Sequence, residues 1–141
     1  MLRKRDRWVL GGYIDNMVIP YINIALKIFD LFNVPKKKLY DLAKCGFIID
    51  FIYDLEQDIQ LGYINISKEE IERYNIDLKK LDSKNLNLWI SDKIIYIERK
   101  VGKFEQEIRK FKGLSKIFAY SLLKKRKTKL KTIKKNLMSR I

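Results

Sequence analysis

No proline follows Pro35, so from Lys36 onward no residue lacking a backbone donor forces the chain out of a helix. Over the same stretch isoleucine and leucine recur at three- and four-residue steps, and no run alternates apolar with polar at period two. With 141 residues the chain has the size of one domain with a real core, and 47% apolar against 34% charged residues argues for a folded chain. The expectation is an all-α protein, a bundle of four to five helices.

The segments read as follows. Residues 13–32 are apolar at helical spacing, with Met17, Tyr21, Ile24, Ile28 and Phe32 on one side and Ile14, Val18, Ile22 and Ala25 beside them. This helix stops at Asn33-Val34-Pro35, and Pro20 kinks it or marks its start. A second helix runs from Lys36 to Leu61, apolar at Ile48, Ile52, Leu55 and Ile59, with Gly62 as a left-handed cap. Ser67 and Glu70 have capping-box spacing and open a short helix to Tyr74. Residues 75–85 form a polar linker with a turn. A long helix spans Asn87 to Lys112 and ends at Gly113. Ser115 caps a last helix with the stripe Phe118, Leu122, Leu130, Ile133 and Leu137. Phe51, Ile52, Leu55, Ile94, Val101, Phe104, Phe118 and Leu122 are the expected core. In domain terms these are a basic lead (1–12), a helical body (13–113) and a basic amphipathic C-terminal helix or arm (114–141).

The chain has no histidine, which removes Ser-His and Cys-His hydrolases, histidine-ligated zinc and all imidazole acid–base schemes. Its single cysteine, Cys45, excludes a disulfide framework within the chain and a Cys-type zinc site. Any metal would be held by oxygen, which means Mg²⁺, Mn²⁺ or Ca²⁺.

The net charge of +14 is unevenly placed. Glu107 is the last acid, and residues 108–141 carry thirteen of the 31 basic residues. The preceding part is almost balanced, so the basicity belongs to one segment. The apolar stretch after the basic start carries Asp15, Asn16 and Pro20, which argues against a signal peptide. No window is apolar enough to span a bilayer. An intracellular location, cytoplasmic or in an organellar matrix and possible at a membrane periphery, is the expectation.

Asp50, Asp54 and Asp58 stand at i, i+4 and i+8 on one stripe of the second helix, on the shoulder of its buried face. Carboxylates stacked on adjacent turns repel unless a cation neutralises them. Two readings follow: a Mg²⁺–diphosphate site looking into the bundle, or an acidic face pairing with lysines of a neighbouring helix.

The run from Asp54 through Asp58, Gly62 and Ile64–Ser67 to Glu70–Ile76 resembles the second aspartate-rich motif of the squalene/phytoene synthase family, the head-to-head prenyltransferases. In that family a D-x-x-x-D helix is followed by a glycine, a short extended segment and a further helix. Upstream, residues 13–32 resemble the preceding helix, and downstream, residues 86–135 have the length and apolar spacing of its last two helices. The resemblance covers only the C-terminal half of the family's domain. It implies an isoprenoid-synthase-type helical fold, Mg²⁺ on Asp54 and Asp58, and substrate-facing positions at Tyr13, Phe47 and Asp50. The departures are substantial. The first aspartate-rich motif has no counterpart here, the family's small-residue stretch appears as Val18-Ile-Pro-Tyr-Ile-Asn23, and its Gln and Asn before the motif appear as Phe47 and Asp50.

Lys124, Lys125, Arg126, Lys127, Lys129, Lys131, Lys134 and Lys135 form the basic patch, which reads either as the solvated face of a lysine-rich terminal helix or as a surface for RNA or another acidic partner, an anionic membrane surface or diphosphates. Three functions follow. The first is a non-catalytic helical half-domain acting as a subunit or assembly factor, with another protein chain covering its exposed faces. The second is the C-terminal part of a Mg²⁺-dependent prenyl diphosphate synthase, inactive alone. The third is an RNA-binding helical protein.

Overall fold

The computed structural model describes residues 3–4, 12–28 and 36–139, with side chains from Asn16 on. Among these described residues it is all-α, with six α-helices and almost no strand. The elements are β1 (Arg3–Lys4), α1 (Gly12–Ile28), α2 (Lys36–Tyr53), α3 (Leu55–Gln60), β2 (Tyr63–Ile64), α4 (Lys68–Tyr74), α5 (Lys84–Glu107) and α6 (Gly113–Met138). A 3₁₀ turn at Ile108–Lys110 joins α5 to α6. The termination expected at Asn33-Val34-Pro35 lies outside the described residues, as does most of the basic lead. Pro20 sits inside α1.

α2 is the central element, packed against α1, α5 and α6. Leu39, Leu42, Ala43, Cys45, Ile48, Ile49 and Ile52 are buried around more than half of its circumference, and Tyr40, Lys44, Phe47 and Phe51 on the remaining side are half-buried, as suits a helix with neighbours on several sides. α5 presents one stripe, from Leu86, Trp89 and Ile90 through Ile94 and Ile97 to Val101 and Phe104. α6 presents Ala119, Leu123, Arg126, Leu130, Ile133 and Leu137, which repeat at alternating four- and three-residue steps.

Several expectations are corrected. The second helix is interrupted at Asp54, whose backbone lies at φ −92° and ψ 3°, although hydrogen bonds from Asp54 N to Asp50 O (2.9 Å) and from Asp58 N to Asp54 O (2.8 Å) span the break. Phe118 and Leu122 are half-buried, since the core slots of α6 fall one residue later, on Ala119 and Leu123, and Phe51 is half-buried beside the buried Ile52 of α2. The other five expected core residues are buried. Ser115 does not cap α6: the helix starts at Gly113, and the Ser115 hydroxyl donates to the Lys112 carbonyl. α5 starts at Lys84, where Ser83 Oγ accepts from Leu86 N. A two-residue parallel pair, Arg3 with Tyr63 and Lys4 with Ile64, was not foreseen.

The local signals around α4 hold. Gly62 takes φ 84°, which only glycine adopts freely. Ser67 Oγ accepts from Glu70 N at 3.2 Å, and Asn75 closes α4 in the left-handed region. The Glu70 side chain does not complete a capping box by reaching back. It pairs with Lys93 on α5, which anchors α4 to the bundle.

Candidate functional site

The three stripe aspartates meet three fates. Asp50, near the end of α2, is ion-paired with Lys129 of α6. Asp54, at the break, is exposed, and its carboxylate makes no hydrogen bond or ion pair among the described residues. Asp58, on α3, accepts from the buried side-chain amide of Asn65, just past β2. The break at Asp54 thus lies between two carboxylates held by different neighbours. No group of three or more Cys, Asp or Glu residues converges as a metal-binding set among the described residues. A Mg²⁺ on Asp54 and Asp58 would therefore draw at most two ligands from this stripe and the rest from water or ligand phosphates.

A cavity of about 300 Å³ lies beside this stripe, between α2–α3, α5 and α6, lined by Ile52, Tyr53, Glu56, Ile90, Ile133 and Asn136 among others. Neither Asp54 nor Asp58 lines it. Of the positions that the resemblance makes substrate-facing, Phe47 is half-buried with its ring 6.5 Å from that of Phe51. Asp50 is engaged by Lys129, and the Tyr13 side chain lies outside the described residues.

The basic patch divides as well. α6 is a wall of the bundle, not a detached arm, and it packs on both α2 and α5. Lys127 bonds Glu105 (2.9 Å) and Lys134 bonds Glu98 (2.6 Å), both on α5. Lys124, Lys125, Lys131 and Lys135 are exposed and have no carboxylate partner among the described residues. Arg126 leaves the patch altogether. It is 8% exposed, its Nε is buried without a hydrogen-bond partner, and its guanidinium packs over Gly46 of α2.

Two further features were missed from sequence. The Lys93–Glu70 pair is largely buried, with the Lys93 ammonium 5.5 Å from the centre of the Trp89 ring and Glu70 Oε2 left unpartnered. Its signal was present: Lys93 falls on the apolar stripe of α5, between Ile90 and Ile97. The Cys45 thiol is pushed up to about 11, mainly by burial and next by Asp41. That makes it a core residue and not a nucleophile.

α1 is apolar on two sides. Val18, Ile22 and Leu26 are buried, and α1 packs against α2. Met17, Tyr21, Ile24 and Ile28 form a second stripe, exposed by 39%, 55%, 58% and 71%. The expectation of partly uncovered faces therefore holds for α1, whereas the stretch 36–61 is covered along most of α2 and leaves Tyr53 and Leu61 exposed. No described helix is long and apolar enough to cross a membrane. No family model, curated protein or solved structure matches the chain.

Proposed function

We propose that this chain is a non-catalytic helical subunit or assembly factor of squalene/phytoene-synthase type, held in a larger complex through the outer face of α1. The observation that carries the reading is the stripe of Met17, Tyr21, Ile24 and Ile28, which stands in solvent while Val18, Ile22 and Leu26 on the adjoining face of the same helix are buried. A contiguous apolar stripe of this kind marks an interaction site more often than an ordinary surface. The catalytic alternative draws less support, because Lys129 engages Asp50 and Asn65 engages Asp58.

The test compares wild type with a Tyr21→Glu/Ile24→Glu variant, by intact native mass and identification of co-purifying chains. The wild type is expected to carry a stoichiometric partner, and the variant to lose it while retaining its far-UV helical signal. A partner-free wild-type monomer at micromolar concentration counts against the reading. So does condensation of prenyl diphosphates by the isolated chain.

A further inference from the structure

α5 and α6 run antiparallel, and two ion pairs, Glu105–Lys127 and Glu98–Lys134, join them like rungs. Between the rungs lies an open trough of about 730 Å³. Val101 and Leu130 form its floor, only 4% and 6% exposed, and Met138, 76% exposed, stands at one end. Lys127, Lys131, Lys134 and Lys135, all on α6, line one side, and Glu98 of α5, already bonded to Lys134, is the only carboxylate among the lining residues. The α6 wall is therefore lysine methylene stems topped by ammonium groups. Lys131 and Lys135, one turn apart, have no carboxylate partner among the described residues.

We propose that this trough is a docking groove for an acidic amphipathic helix of a partner protein. The apolar floor is recessed below a cationic rim on the α6 side, so its occupant must be convex, apolar along one stripe and negatively charged on the flank that meets α6. A helix of about 10 Å diameter with anchors at i, i+3 or i+4 and i+7 and flanking Glu or Asp has that shape and charge. A membrane-surface helix needs the reverse relief, with apolar side chains protruding past its lysines into the bilayer. Single-stranded nucleic acid stacks on aromatic platforms, and α6 has no aromatic residue after Tyr120. The inference uses a different surface from the α1 stripe and stands independently of it.

The test is fluorescence anisotropy on the full chain with a labelled synthetic helix of about three heptads, bearing Leu at the core positions and Glu on the flanks. Comparators are a scrambled peptide of equal composition, a single-stranded RNA, and vesicles of phosphatidylserine and phosphatidylcholine. The patterned helix is expected to bind about tenfold or more tighter than the scrambled one. Lys131→Glu with Lys135→Glu is expected to remove that advantage, and Lys131→Arg with Lys135→Arg to keep it. Both positions are exposed, and a far-UV spectrum checks that each variant is folded. Tyr21→Glu with Ile24→Glu is expected to leave this binding unchanged, so the groove and the α1 reading fail separately. Equal binding of patterned and scrambled peptides overturns the proposal. So does a Lys131/Lys135-dependent preference for the vesicles or the RNA over the patterned helix.

Discussion

Arg126 occupies the space that a side chain at position 46 would need: a Cβ built on Gly46 of α2 overlaps the Arg126 guanidinium of α6. The two helices approach closely because one supplies no side chain where the other supplies a large cation. The contact comes at a cost, since Arg126 Nε is buried without a partner. Gly46→Ala forces the far end of the Arg126 side chain to move, and it is expected to lower stability by about 1 kcal/mol in urea unfolding, since alanine's better helix propensity offsets part of the overpacking. Gly46→Ala in an Arg126→Ala background is expected to cost less than in wild type, because the overlapping group is gone. Equal costs in the two backgrounds would show that the overlap is not what constrains position 46.

Arg126→Met tests the electrostatic side of the same contact. Methionine keeps much of the aliphatic volume and removes a buried charge. The variant is expected to unfold within about 1 kcal/mol of wild type or above it, as replacing buried charges with apolar groups of similar volume often does. A loss of several kcal/mol would mean that the guanidinium contributes net stability at this site.

Lys93 and Glu70 tie α5 to α4 with little solvent around either group. Removing one partner strands the other, so Glu70→Ala is expected to cost about 3 kcal/mol. The double variant Glu70→Gln/Lys93→Met is expected to recover most of that loss, and a double-mutant cycle in urea measures the difference.

Burial holds the Cys45 thiol at about 11 against an ordinary value of 9.0. The folded state therefore retains a proton that the unfolded state releases, and stability falls as pH rises from about 9 to 11. Below pH 9 both states hold the proton and this group contributes no slope. Cys45→Ala is expected to remove that component of the alkaline decline. Alkylation of the native thiol at pH 8 is expected to be slow and to accelerate on unfolding.

Asp54 is exposed and Asp58 is bonded to a buried amide, so the two should respond differently. Asp54→Asn is expected to change stability by a few tenths of a kcal/mol. Asp58→Ala is expected to cost about 1–3 kcal/mol, because it strands the Asn65 amide. Mg²⁺ titrations with and without a prenyl diphosphate are expected to coincide for wild type and Asp54→Asn/Asp58→Asn. A metal affinity that diphosphate raises in wild type alone would restore a live site.

The helical class was legible because periodicity and the sparse prolines act locally. So were the Gly62 cap and the Ser67 start of α4, which depend on residues within one turn. The one-residue error on α6 has a physical origin. Its core slots run Ala119, Leu123, Arg126, Leu130, and a charged residue in the third slot hides the repeat, while Phe118 and Leu122 offer a bulkier false one. The stripe of aspartates was visible, but its division was not. Lys129 lies 79 residues from Asp50, and neither it nor the turn that brings Asn65 to Asp58 follows from helix spacing. Which neighbours hold Asp50 and Asp58 depended on those distant contacts.

The position of α2 has a consequence for synthesis. Its apolar circumference is closed only by α6, so the contacts that bury it join parts of the chain made far apart in time. At ~5–20 residues per second, the interval between finishing Tyr53 and finishing Met138 is on the order of ten seconds. During that interval the side of α2 that carries Gly46 and Asp50, which Arg126 and Lys129 later cover, lacks its last wall. A nascent chain stalled before Leu123 would carry a sticky, half-closed bundle, and rare codons between α5 and α6 would lengthen its exposure to aggregation and to chaperones.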